Sequence, residues 1–139
     1  MSMIDSLPHR PPMRLVEEVI EIVHGERVAA RRRTNADDFY FQGHFPGQPI
    51  VPAVILVEML AQAGGLAIAA PADGRPAPAL QLRVAALGPF KFPAAASVGA
   101  TLDARARVAG RLGDLYKIEG TVTADGVLVA TGSVTLAAV

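Results

Sequence analysis

The sequence predicts an α+β fold in which one long apolar helix is wrapped by an antiparallel sheet. Three observations carry this. Residues 52–70 form a nearly unbroken apolar run that opens with Pro52. Four strand-like runs follow it. The last two are separated by Asp125-Gly126, a good two-residue hairpin signal. One helix ahead of a meander is the pattern of a sheet folded around that helix.

Composition fits a single domain over residues 1–139. Apolar residues make up 51% of the chain and charged residues 19%, enough to build a core and too apolar for a disordered chain. Thirteen basic residues balance thirteen acidic ones, so net charge points to no nucleic-acid partner. The absence of cysteine removes disulfides, thiol nucleophiles and thiolate metal sites, and is compatible with a reducing compartment. The N-terminus has no basic region followed by an apolar one, so no secretory signal is expected and a cytoplasmic location is.

In chain order, residues 15–23 are apolar-rich but ambiguous in period. Leu15, Val19 and Ile22 suit a helix; Val16, Ile20 and Ile22 partly suit a strand. His24-Gly25 marks a turn, and residues 26–34 read as a strand. Residues 36–47 are a loop carrying Phe39, Tyr40, Phe41 and Phe45. Proline suits the first helical turn, so the helix starts at Pro52 and runs about 28 Å at 1.5 Å per residue. It is apolar nearly all round and should be buried on most sides.

The wider stretch 49–72 is long enough to span a bilayer. Glu58 and Gln62 near its middle, Pro52 at its start, Gly64-Gly65 and the lack of flanking basic clusters argue for burial in protein instead. Residues 71–78 form a turn-rich loop. Strands follow at 80–87, 98–109, 115–124 and 127–136, with a turn at 110–114.

Two titratable groups stand out. His44 lies in Gly43-His44-Phe45-Pro46-Gly47, where proline stiffens the backbone and the glycines permit close approach of a ligand. Glu58 follows fourteen residues later, inside the apolar helix, with Gln62 four residues on and so on the same face. A carboxylate among apolar neighbours is paired, exposed along a narrow stripe or kept for chemistry, and burial would favour its uncharged, proton-donating form. Between them, the first-turn N–H groups, including those of Ala53 and Val54, lack intrahelical partners and point outward with the positive end of the helix dipole. A base, an acid and donors for a polarised carbonyl thus fall within fifteen residues.

These residues resemble a known family. Leu7-Pro-His-Arg10, Gly43-His-Phe-Pro-Gly47, Pro49-Ile-Val-Pro52 and Glu58-Met-Leu-Ala-Gln-Ala63 resemble the 3-hydroxyacyl-[acyl-carrier-protein] dehydratases of the FabZ type. The resemblance runs from about Leu7 to the C-terminus and is strongest over residues 39–65. It implies a hot-dog fold and a homodimer, often a trimer of dimers. It also implies two active sites at the subunit interface, each taking the residue at His44 from one copy and that at Glu58 from the other. Glutamate at the acid position resembles the branch that only dehydrates; the dehydratase/isomerase branch has aspartate.

Two departures stand out. Ala53 replaces the family's usual glycine, and residues 91–99, Lys-Phe-Pro-Ala-Ala-Ala-Ser-Val-Gly, lack the charges and one proline of the family's segment. The first keeps the backbone N–H but adds a methyl beside the thioester; the second bears on the shape of the substrate tunnel and so on chain-length preference.

The expected reaction is reversible loss of water from a (3R)-hydroxyacyl thioester on acyl carrier protein. His44 is the base and Glu58 the acid. Ala53, Val54, Gln62, Phe45 and Gly47 serve the substrate. No cofactor or metal is required. The alternatives are a hot-dog thioesterase and a catalytically weak acyl-binding paralogue. His9 reads as a structural loop residue and His24 as a solvated turn. Arg31 and Arg33, on one strand face, and Lys91 are possible carrier contacts, with a solvated face the simpler reading of the arginines.

Overall fold

The computed structural model describes residues 3–44, 47–69 and 81–138. Six strands are joined to one helix. The strands are β1 (Glu18–Val23), β2 (Arg27–Arg33), β3 (Leu82–Lys91), β4 (Thr101–Leu112), β5 (Leu115–Ala124) and β6 (Val127–Ala138). The helix α1 spans Ala53–Ala69, and short 3₁₀ turns occur at Met3–Ser6 and Phe39–Phe41. The sheet is antiparallel throughout, in the order β1-β2-β4-β5-β6-β3. This is the hot-dog arrangement that the resemblance implies.

The helix lies on one face of the sheet, against β2, β4, β5 and β6. Its seam is built from Ile55, Leu56, Met59, Leu60 and Leu66 over Val28, Ala30, Leu102, Ala104, Ala106, Ile118, Val122 and Val134, all buried. Alternation puts these strand residues on the helix side and leaves Arg105 and Arg107 outside. Alanines at 30, 104 and 106 leave room for the helix to sit close. Gly64 takes this furthest: a Cβ there would lie 2.7 Å from Ile118 Cγ2. The expected burial on most sides holds from Met59 to Ala67, whereas the first turn is open, with Val54 72% exposed. Among the described residues no helix is long and apolar enough to cross a membrane.

Several boundaries differ from the sequence reading, each for a local reason. Residues 15–23 resolve into a strand, β1, whose pairing with β2 slips between Val19 and Glu21. That slip takes Ile20 out of alternation and turns Val19 and Ile22 both toward the core, a spacing of three that mimics a helix. β3 runs on through Gly88-Pro89 to Lys91, because a second slip between Leu87 and Phe90 accommodates the proline on an edge strand. β4 starts at Thr101, after a turn at Gly99 (φ 88°), and passes Gly110 through a slip near Val108. The β5–β6 hairpin turns at Asp125-Gly126, both at positive φ, as expected. Within the 36–47 loop, Phe39–Phe41 form a 3₁₀ turn. The 71–78 loop, Phe45 and Pro46 lie outside the described residues.

Candidate active site

His44 is held by a chain of contacts that begins in the sheet. Arg32, near the end of β2, donates to Asp38 Oδ1 (2.6 Å) and to the Tyr40 hydroxyl (3.2 Å). Tyr40 donates to Asp38 Oδ2 (2.6 Å), which also accepts from the Asn35 N–H. Burial pushes the Asp38 carboxyl upward, but hydrogen bonds from Tyr40, Asn35 and Arg32 outweigh it and hold the group below its ordinary range. Burial, then the bond to Asp38, raises the Tyr40 hydroxyl well above its ordinary range. This network fixes the 3₁₀ turn, and the His44 N–H donates to Phe41 O at its end (3.3 Å).

The imidazole is oriented by the main chain. His44 Nδ1 lies 3.0 Å from the carbonyl oxygen of Ile50. A carbonyl only accepts, so Nδ1 carries a hydrogen, and in the neutral ring the lone pair is on Nε2. Ile50 is itself bridged to Ser97, and the Val51 N–H donates to Ala96 O (2.8 Å). The segment that departs from the family pattern therefore buttresses the loop that orients His44.

Glu58 lies in the second turn of α1. Gln62 Nε2 donates to its Oε2 (3.0 Å) and to Met13 O (2.8 Å), while Gln62 Oε1 accepts from the Leu15 N–H (2.7 Å). Gln62 is 1% exposed. Its amide positions Glu58 and ties the N-terminal segment across the helix; its polar contacts are with the protein itself. The Glu58 side chain is 30% exposed in the single chain, so it is not fully buried there. It lines a cavity of about 280 Å³ together with Leu7, Pro8, His9, Leu82 and Val84. His44 does not line this cavity.

The first-turn N–H groups of Ala53 and Val54 donate to no acceptor among the described residues, as the helix start requires. Gly47 adopts φ 91° and is exposed. His24 is exposed, in line with a solvated turn. Arg31 is engaged across the sheet with Asp103 (2.7 Å), whereas Arg33 and Lys91 are exposed. A larger trough of about 700 Å³ crosses the outer face of the sheet, lined by Glu21, Arg27, Arg107 and Glu119. Arg27 pairs with Glu21 and Arg107 with Glu119, so these charges on the trough are satisfied by one another.

The sequence reading missed one neighbour. His9, taken as a structural loop residue, brings its Nε2 to 3.7 Å from Glu58 Oε2. The available signal was its place in the Leu7-Pro-His-Arg segment; contact with a helix some fifty residues later leaves no mark in local pattern.

A model of the FabA-like domain matches residues 7–133. The chain belongs to the FabA-like family. It is 35% identical over 131 residues to the 3-hydroxyacyl-[acyl-carrier-protein] dehydratase FabZ of Nitratidesulfovibrio vulgaris strain DP4, covering 94% of this chain and 84% of that protein. The FabZ of Oenococcus oeni is 52% identical over 62 residues, a match spanning 45% of each chain. Among solved structures, a chain of the dehydratase heterocomplex ApeI:P from Xenorhabdus doucetiae superposes with a TM-score of 0.82 at 18% identity, over 100% of this chain and 91% of that one, a likeness of fold. Within the FabA-like family the chain is of the FabZ type, a group of 3-hydroxyacyl-[acyl-carrier-protein] dehydratases of fatty acid biosynthesis.

Proposed function

We propose that the protein removes water reversibly from (3R)-hydroxyacyl thioesters on acyl carrier protein, giving trans-2-enoyl thioesters, as a cytoplasmic homodimer or trimer of dimers. The observation that carries the reading is the Nδ1–Ile50 carbonyl contact, which in the neutral ring places the hydrogen on Nδ1 and the lone pair on Nε2. His44 takes the C2 proton. Glu58 of a second copy gives a proton to the departing 3-hydroxyl. The Ala53 N–H, with Val54 beside it, holds the thioester carbonyl as charge develops on its oxygen. Gly47 borders the entering thioester, and the cavity beside Glu58, walled in part by Leu7, Leu82 and Val84, receives the acyl chain.

The need for two copies is supported by the edge of the sheet. Among the described residues β3 has a neighbour on one side only, and Val84 (40% exposed) and Leu87 (59%) stand open on it. An unpaired edge with apolar residues invites another strand. Leu82 and Val84 of that strand also line the Glu58 cavity, so a copy paired there would border the acid directly.

The test is a spectroscopic hydration assay with crotonyl and longer enoyl thioesters. Glu58→Gln and His44→Ala should each lower the rate roughly 10²–10⁴-fold, the usual contribution of a general acid or base. Undiminished turnover by either variant overturns that residue's role. Thiol release from saturated acyl thioesters, without enoyl hydration, would mark a thioesterase instead.

A further inference from the structure

The Glu58 carboxyl has a second neighbour besides Gln62. We propose that His9 is a positioning residue for the acid: Gln62 hydrogen-bonds Oε2 of Glu58, His9 faces the same oxygen, and together they favour the transferable proton on Oε1. The inference rests on the reading of Glu58 as the acid.

The geometry is asymmetric. Gln62 Nε2 lies 3.0 Å from Oε2, and His9 Nε2 lies 3.7 Å from the same oxygen. The far nitrogen of the ring, Nδ1, is buried and has no hydrogen-bond partner among the described residues. A buried N–H without an acceptor is rarer and costlier than a buried lone pair that is under-satisfied. The neutral ring therefore carries its hydrogen on Nε2, toward Glu58, and a protonated ring does the same. In both states His9 presents a donor.

The hydrogen bond from Gln62 to Oε2, with the His9 N–H facing the same oxygen from 3.7 Å, beyond hydrogen-bond length, favours a proton on Oε1 over one on Oε2. The acidic hydrogen then sits on Oε1, and rotation about the carboxyl bond would drive O–H against N–H. Gln62 is rigid through its bonds to Met13 and Leu15, so it anchors the carboxyl from the helix side. His9 closes the other side, from the segment that walls the cavity. The result is an acid held in one orientation before substrate arrives.

The experiment is a double-mutant cycle on the intact protein, with hydration of crotonyl thioester as the readout. His9→Leu should lower kcat roughly 10- to 100-fold, the scale of a misaimed group, with KM little changed. His9→Gln, which retains a donor, should recover most of that loss. In a Glu58→Gln background His9→Leu should cost nothing further, because a residue acting through another has no effect once that other is gone.

The proposal is overturned if His9→Leu costs the same factor in both backgrounds, or if the leucine and glutamine variants fall equally. His9→Met is a second variant without a donor, so a folding defect in one leaves the comparison intact. Full activity of Glu58→Gln alone would instead overturn the reading of Glu58 as the acid and this inference with it. A crippled Glu58→Gln with additive His9→Leu overturns only the role of His9.

Discussion

Gln62 donates to Glu58 Oε2 across 3.0 Å, one helical turn away, while its other amide contacts hold Met13 and Leu15 of the N-terminal segment. A single buried amide thus couples the aim of the carboxyl to the closure of the fold. Gln62→Leu should damage both. It leaves the Leu15 N–H and the Met13 carbonyl without this partner, at about 1–3 kcal/mol for each group that stays buried and unpaired. Urea unfolding should show a lower midpoint and the hydration assay a lower kcat. A change in only one would separate the two roles.

Mixing two inactive variants tests whether the site is shared between copies. His44→Ala and Glu58→Gln chains, unfolded and refolded together, should regain activity. Random assortment makes half the dimers mixed, each with one site that has both groups, so about a quarter of wild-type activity should return. If both groups act from the same chain, no activity returns.

The edge strand offers a third test. Leu87→Glu places a charge on the exposed apolar edge of β3, the means by which natural edges avoid pairing. Sedimentation should show a shift toward monomer, with activity falling in parallel because each copy loses its complement. Wild-type assembly in this variant would remove β3 as the pairing edge.

The Arg32–Asp38–Tyr40 network predicts an acid-sensitive stability. Asp38 is held below its ordinary range in the folded state, so its contribution is present at neutral pH. It is lost as pH falls below the ordinary carboxylate value of about 4 and through the depressed folded value. Thermal unfolding followed from pH 7 to pH 3 should show a steeper fall for wild type than for Asp38→Asn. Parallel curves would mean that the carboxylate gains nothing from its partners.

Much of this was legible in the sequence. Pro52 and the apolar run announced the helix, and Asp125-Gly126 announced the hairpin, because both are written in local residue types. Residues 15–23 were harder: the irregularity at Val19–Glu21 arises from pairing with β2 and gives a strand the spacing of a helix. The extension of β3 past Pro89 depends in the same way on its place at the edge. At the site, His44 and Glu58 were visible as types in context. The Ile50 carbonyl and His9 were not, since a backbone oxygen looks alike at every position and a contact across the fold leaves no period.

Ile50 carries one more consequence. The oxygen that sets the tautomer of His44 belongs to the peptide backbone, and every amino acid brings the same one. The side chain at position 50 can therefore drift while the backbone oxygen facing Nδ1 stays the same. Side-chain variation at that position and the orientation of the imidazole are thus decoupled.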